Sequence, residues 1–259
     1  MKIEPPARQN SAGRLEVLVL RGDSIKNIGA IDAWAEVFGV ADETAGFERQ
    51  HEVAKLLAAV AVEIKLMEMQ LREAGVPDEL SAPFVQQLTS AAAIGNLANS
   101  WHNIRGNHFG AELRLSLRWF KHVLPDESLA ATLEDLAELE SLLTELQVKA
   151  GGVGFPRSLT AFVEKQVQAI REALRQYPIG GPAALKRATR SMMADIQIDE
   201  DEIRTAAQSA DPAAVAEAGD LLRKVWNKAV SIGGDVEKLS KSGQSLIEFG
   251  SAVYKMLTP

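Results

Sequence analysis

The sequence predicts an all-α protein, a multi-helix bundle of roughly nine or ten helices that ends in a C-terminal helical hairpin. Three observations predict it. Between Phe47 and Ala74, the apolar residues Val53, Leu57, Val60, Ile64, Met67, Leu71 and Ala74 recur at alternating steps of four and three, the repeat of one helix stripe. The same alternation returns near the end of the chain in Val236, Leu239, Gly243, Leu246, Gly250, Val253 and Leu257. No segment offers a strand with a neighbour to pair with.

The 259 residues, 46% of them hydrophobic, suffice for one large domain or two of ordinary size. Cysteine is absent, which excludes disulfides, thiolate metal sites and a cysteine nucleophile. The longest apolar run, Leu56 to Val62, is closed by Glu63 and falls far short of the ~18 residues of a membrane span. Met1 to Asn10 lacks the apolar core of a secretory signal, so a cytoplasmic location is expected. The net charge of −7 is concentrated: residues 126 to 145 hold Asp126, Glu127, Glu134, Asp135, Glu138, Glu140 and Glu145 and no base. Just before them, Arg105, Arg114, Arg118 and Lys121 face only Glu112, a basic stretch next to an acidic one.

Arg14 to Leu20 alternates loosely and reads as helix only because no strand partner exists. Ile25, Ile28, Ile31, Trp34 and Val37 keep a three-residue step up to Gly39, a compact helix. The long rod follows, its polar face supplied by residues including Glu63 and Glu68, and Gly75 and Pro77 stop it. Everything else is expected to pack around this rod. Ser81 and Pro83 open the next helix, whose buried side runs Phe84, Leu88, Ala91, Ile94, Ala98, Trp101 and Ile104 until Gly106 breaks it. Leu113, Leu117, Phe120 and Leu124 mark another helix. Asp126 is read as the N-cap of a leucine-rich acidic helix that runs to Gly151 and Gly152. The glycine-rich loop from Gly151 to Pro156 divides an N-terminal bundle, residues 1–150, from a C-terminal helical region, residues 157–259, unless the two form one continuous domain. A helix over Ser158 to Tyr177 stops at Pro178, and another starts after Gly180, Gly181 and Pro182. Asp211 and Pro212 then open the first arm of the hairpin, residues 212–257, which turns at Gly233 and Gly234.

The densest polar cluster, Trp101 to Glu112, holds the candidate catalytic residues His102, Arg105 and His108, an imidazole pair for proton transfer beside a guanidinium that could hold an anion. His108 and Glu112 stand one turn apart but have no third ligand at a metal-site spacing, and Glu48 and His51 form one Glu-x-x-His pair of the di-iron type without the second pair such a site needs, so no metal and no cofactor is expected. Lys186, Arg187 and Arg190 lie in the first two turns of a helix, where cations oppose the dipole unless an anion binds; they are the candidate ligand site, with Asp199 to Glu202 as an internal alternative. Arg114, Arg118 and Lys121 are expected to neutralise the acidic helix across a short turn.

The function expected is therefore a soluble helical protein-interaction, regulatory or assembly protein without catalysis. Its partner would be another protein or a second copy, met through the hairpin by Trp226, Leu239, Leu246 and Val253. The hairpin is basic, six lysines and arginines against three acids from Leu221 to Pro259, so peripheral contact with anionic lipid is a second possibility. Nucleic acid is not expected. The alternative is a helical enzyme or sensor for an anionic ligand, phosphate-containing or nucleic acid.

Overall fold

The structure, a computed structural model, describes residues 10–41, 44, 46–127, 131–152 and 155–233. Among them are eleven α-helices, one 3-10 turn and an isolated β-bridge, an all-α bundle as the sequence predicts. The chain forms two compact units: Met1–Glu127 with Pro178–Gly181, and Ser128–Tyr177 with Pro182–Pro259.

The first unit contains α1 (Ser11–Ser24), α2 (Ala30–Phe38), α3 (Gly46–Glu73), α4 (Asp78–Ala91), the 3-10 turn Ile94–Ala98, α5 (Trp101–His108) and α6 (Ala111–Val123). The organising element is α1 rather than the long rod α3. It packs against α2, α3 and α6, and its buried residues include Arg14 and Glu16. Its first turns are buried throughout, polar side chains included, and the exposed positions that follow include the apolar Leu20, which is why its sequence shows no clean period. Asn10 fixes its start: Oδ1 accepts from the Gly13 amide at 3.0 Å, while Nδ2 donates to the carbonyls of Lys121 at 3.0 Å and Leu124 at 3.2 Å. One buried amide thus caps the beginning of α1 and the end of α6 together.

In α3 the predicted stripe is buried from Val53 through Leu71, whereas Ala74 is exposed. Gly75 adopts φ +77, the left-handed closure expected of it. Glu63 departs from expectation: it is 1% exposed and belongs to the buried stripe. The helix predicted to open at Ser81 begins three residues earlier at Asp78, and it does not continue to Gly106. It ends at Ala91, and Ile94 and Ala98 are exposed on the 3-10 turn. There the chain pairs with the segment before α2: Ala30 N–H donates to Asn99 at 3.1 Å and Trp101 N–H to Ile28 at 2.9 Å.

The second unit contains α7 (Leu133–Ala150), α8 (Arg157–Gly180, its last turn counted with the first unit), α9 (Pro182–Ile198), α10 (Glu200–Gln208) and α11 (Pro212–Gly233). Both α7 and α9 pack on α11, whose Val215, Leu222, Val225, Trp226 and Ala229 form the centre of this core. The domain boundary read at residues 151–156 therefore falls inside the second unit, because the leucine stripe of α7 packs on α11. The helix start read at Asp126 is also displaced. Thr132 is the N-cap, accepting from the Asp135 amide at 3.1 Å while Asp135 accepts from the Thr132 amide at 2.9 Å, a reciprocal capping box.

Candidate functional site

The cluster Trp101 to Glu112 is divided between two helices. α5 ends at His108 and α6 begins at Ala111, so His108 and Glu112 do not share a helix face and the one-turn ligand spacing is lost. Within α5 the groups with the strongest hydrogen-bonding capacity point at the end of α1. Trp101 Nε1 donates to the Gly22 carbonyl at 2.9 Å; Arg105 Nη1 donates to the carbonyls of Ile25 at 2.9 Å and Asp23 at 3.3 Å. The Gly22 carbonyl also accepts the Ile25 amide that closes α1, while those of Asp23 and Ile25 are among the groups a helix C-terminus leaves without an intrahelical donor, and a guanidinium there also complements the negative end of the dipole. Arg105 is a helix cap. His102 is exposed, its backbone amide donating to Asn27 Oδ1, while His108 is half-buried and burial lowers its pKa, favouring the neutral imidazole.

The cap rests on a close aromatic packing. Trp34, Trp101 and Phe109 meet edge to face at centroid distances of 5.1 to 6.2 Å, and Phe38 stacks on Trp34 at 5.3 Å. Gly22 lies against it, and a Cβ there would stand 2.5 Å from a Phe109 ring carbon.

The strongest ionic group was not legible as a site. Arg14 is enclosed in the first unit with Glu63 and Glu127: Nε and Nη2 donate to Glu63 at 2.9 and 2.5 Å, Nη1 and Nη2 to Glu127 at 2.6 and 2.7 Å, and Nε also to the Ile179 carbonyl at 3.1 Å. Burial opposes its charge most strongly, yet the hydrogen bonds and charges of Glu127 and Glu63 outweigh burial and raise its pKa. Gly181, at φ +52, lies so near that a Cβ would stand 2.6 Å from Nη1. The one signal in the sequence was Glu63 itself, three residues after Val60 and four before Met67, at a stripe position.

The basic stretch is neutralised, but not by the acidic helix. Arg114 pairs with Asp23, and Glu16 receives Arg118 at 3.1 Å and Lys121 at 2.5 Å, so the acids come from α1. The acids of α7 are met instead by Arg171 of α8, which binds Glu140, and by Lys228 of α11, which binds Asp135 and Glu138, while Lys149 of α7 pairs with Glu217 of α11. Lys228 donates to Asp135 at 2.8 Å; that bond, with the Thr132 amide and hydroxyl, depresses the Asp135 carboxyl to about 2.

On α9, Arg187 and Arg190 are exposed and Lys186 half-buried, its backbone 3.4 Å from where a Gly233 Cβ would stand. The acids read as their internal partners lie at the other end of that helix, ~20 Å away at 1.5 Å per residue. There Glu200 and Asp201 pair with Arg204 within α10. Trp226, read as an interface anchor, is only 4% exposed and fills the second core. Leu239, Leu246 and Val253, with the glycines of the same stripe, lie outside the described residues. Among the described residues, no group of three or more His, Asp or Glu side chains is placed to hold a metal ion. Nor, among them, is any helix long and apolar enough to cross a membrane. A shallow groove between α8 and α10, lined by Leu159, Phe162, Ile203 and Ala206 with Lys165, Asp199 and Glu202 at its rim, combines an apolar floor with mixed charge.

No protein-family model, no curated protein and no solved structure matches this chain.

Proposed function

We propose that the chain is a helical protein-interaction, regulatory or assembly protein of the cytoplasm and that it does not act as a catalyst. The observation that carries this reading is the use made of α5. Its guanidinium and its indole are bonded to the backbone of α1, which makes the densest polar cluster of the sequence a structural clasp. Contact with another protein or a second copy falls to the second arm of the hairpin, through Leu239, Leu246 and Val253. The first arm, α11, turns its Trp226 inward and contributes packing.

The test uses the full chain. Affinity capture with wild type and with Leu246→Lys should recover a partner that the variant loses. A thermal-shift series with inorganic phosphate and nucleotides should be flat. Stabilisation by phosphate that Lys186→Ala or Arg187→Ala abolishes would overturn the reading and favour an anion sensor at the start of α9.

A further inference from the structure

The groove between α8 and α10 joins an apolar floor to carboxylates that the fold leaves unengaged. Four acids stand in a row at the start of α10, and they divide by use. Glu200 and Asp201 pair with Arg204. Asp199 and Glu202 line the groove instead, and among the described residues neither carboxylate receives a cation or a hydrogen bond. Asp199 occupies the N-cap position, where an aspartate ordinarily accepts from an amide of the first turn, yet it makes no such bond.

A third acceptor lies beside these two. Lys165, at the rim, donates to Asp195 Oδ1 at 2.9 Å, and Gln166 Nε2 donates to Asp195 Oδ2 at 3.1 Å. Gln166 follows Phe162 by one turn of α8, and Asp195 precedes Asp199 by one turn, so this cluster continues the line of the groove. Gln166 is only 1% exposed, and its Oε1 has no donor among the described residues. Exchanging the two ends of the amide gives no relief, because it sets an oxygen against the Asp195 carboxylate. Buried acceptors are normally satisfied, and one that the protein leaves open calls for a donor from outside the chain.

The cation of the groove, Lys165, is committed to Asp195, while Asp199, Glu202 and the Gln166 oxygen lack donors. Such a set selects a ligand that brings N–H groups and positive charge, and the floor of Phe162 and Ile203 selects an apolar body. A metal ion does not suit it, since among the described residues no three His, Asp or Glu side chains converge. The groove has a volume of about 220 Å³. A cavity of about 150 Å³ holds benzene, so the space suits one aromatic ring on a short alkyl chain. We infer that this groove binds a small organic ammonium ion, an amine whose apolar body lies on Phe162 and Ile203 and whose N–H groups meet Asp199 and Glu202. Such a site needs neither the hairpin nor the basic residues at the opposite end of α9.

The experiment is calorimetric titration of the full chain, at about pH 7, with 2-phenylethylamine, an amine protonated at that pH. A range up to about 10 mM covers the affinity open to a ligand of about ten non-hydrogen atoms. The amine should bind saturably. 2-Phenylethanol, with the same ring and chain but no charge, should bind about tenfold more weakly or worse, and 3-phenylpropionate should not bind. Asp199→Asn combined with Glu202→Gln, at carboxylates that hold nothing in the fold, should weaken the amine by about tenfold or more. Ala161→Trp, an exposed change on the groove wall, fills the space without altering charge and should abolish binding. Circular dichroism melting checks that each variant is folded. An amine that fails to bind wild type, an alcohol that binds as tightly as the amine, or amine binding that survives the double variant and Ala161→Trp would overturn the inference.

Discussion

Arg14 binds two carboxylates and a backbone carbonyl while only 5% exposed, and buried charge is tolerated only when it is paired in this way. Removing the guanidinium leaves the buried Glu63 without this cation, so Arg14→Met should cost about 3 to 5 kcal/mol in chemical denaturation. Gly22 gives a second test. Its Cβ position lies 2.5 Å from Phe109 and 3.0 Å from Trp101, so Gly22→Ala must displace a packed ring and should lower stability by about 1 to 3 kcal/mol, although alanine favours a helix elsewhere. Neither residue was legible as a contact. A lone arginine in an ambiguous segment has no pattern, and Glu63 was counted with the polar face because its type outweighed its position. Asn10 is a parallel case: its role as a double cap depends on α6, more than 100 residues away in sequence.

Among the elements, α3 was legible because it is buried on one arc, and periodicity registers such a contrast. Ile64 is 2% exposed on that arc, and Ile64→Ala should cost about 2 to 5 kcal/mol; an unchanged melting curve would show that α3 does not support the first core. α1 is barely legible because it buries Arg14 and Glu16 and exposes Leu20, which removes the polar–apolar contrast that periodicity registers. The break after Ala91 was missed for a related reason. Apolar spacing ran on through Ile94 and Ala98, while the actual end is set by backbone pairing with the segment before α2. At the start of α7, residue type alone nominates Asp126 as the cap, whereas the cap is Thr132. The true cap carries a pH signature. The Asp135 carboxyl is held at about 2 in the fold against 3.8 as a free side chain, so its contribution is present above pH 4 and is lost as the pH falls through 2. Asp135→Asn should flatten the acid limb of stability between those values, read by urea titration at a series of pH values.

For the molecule as a whole, charge is distributed by packing rather than by sequence proximity. The adjacent basic and acidic stretches look made for each other, yet Glu16 and Asp23 of α1 take the first, while cations of α8 and α11 share in meeting the second. Helical class was legible from period alone, because most of the described helices repeat one rule. The candidate site was not. Residue types can nominate His102, Arg105 and His108, but only the fold reveals that Arg105 faces the carbonyls of α1. The claim that these polar groups build the scaffold is tested most directly by calorimetric unfolding of Arg105→Gln beside His102→Ala. Loss of charge-assisted bonds to the Asp23 and Ile25 carbonyls should cost Arg105→Gln about 1.5 to 3 kcal/mol, while His102→Ala, on the exposed side of α5, should melt as wild type does. An Arg105→Gln protein as stable as wild type would contradict the account and return Arg105 to the list of groups free to bind a ligand.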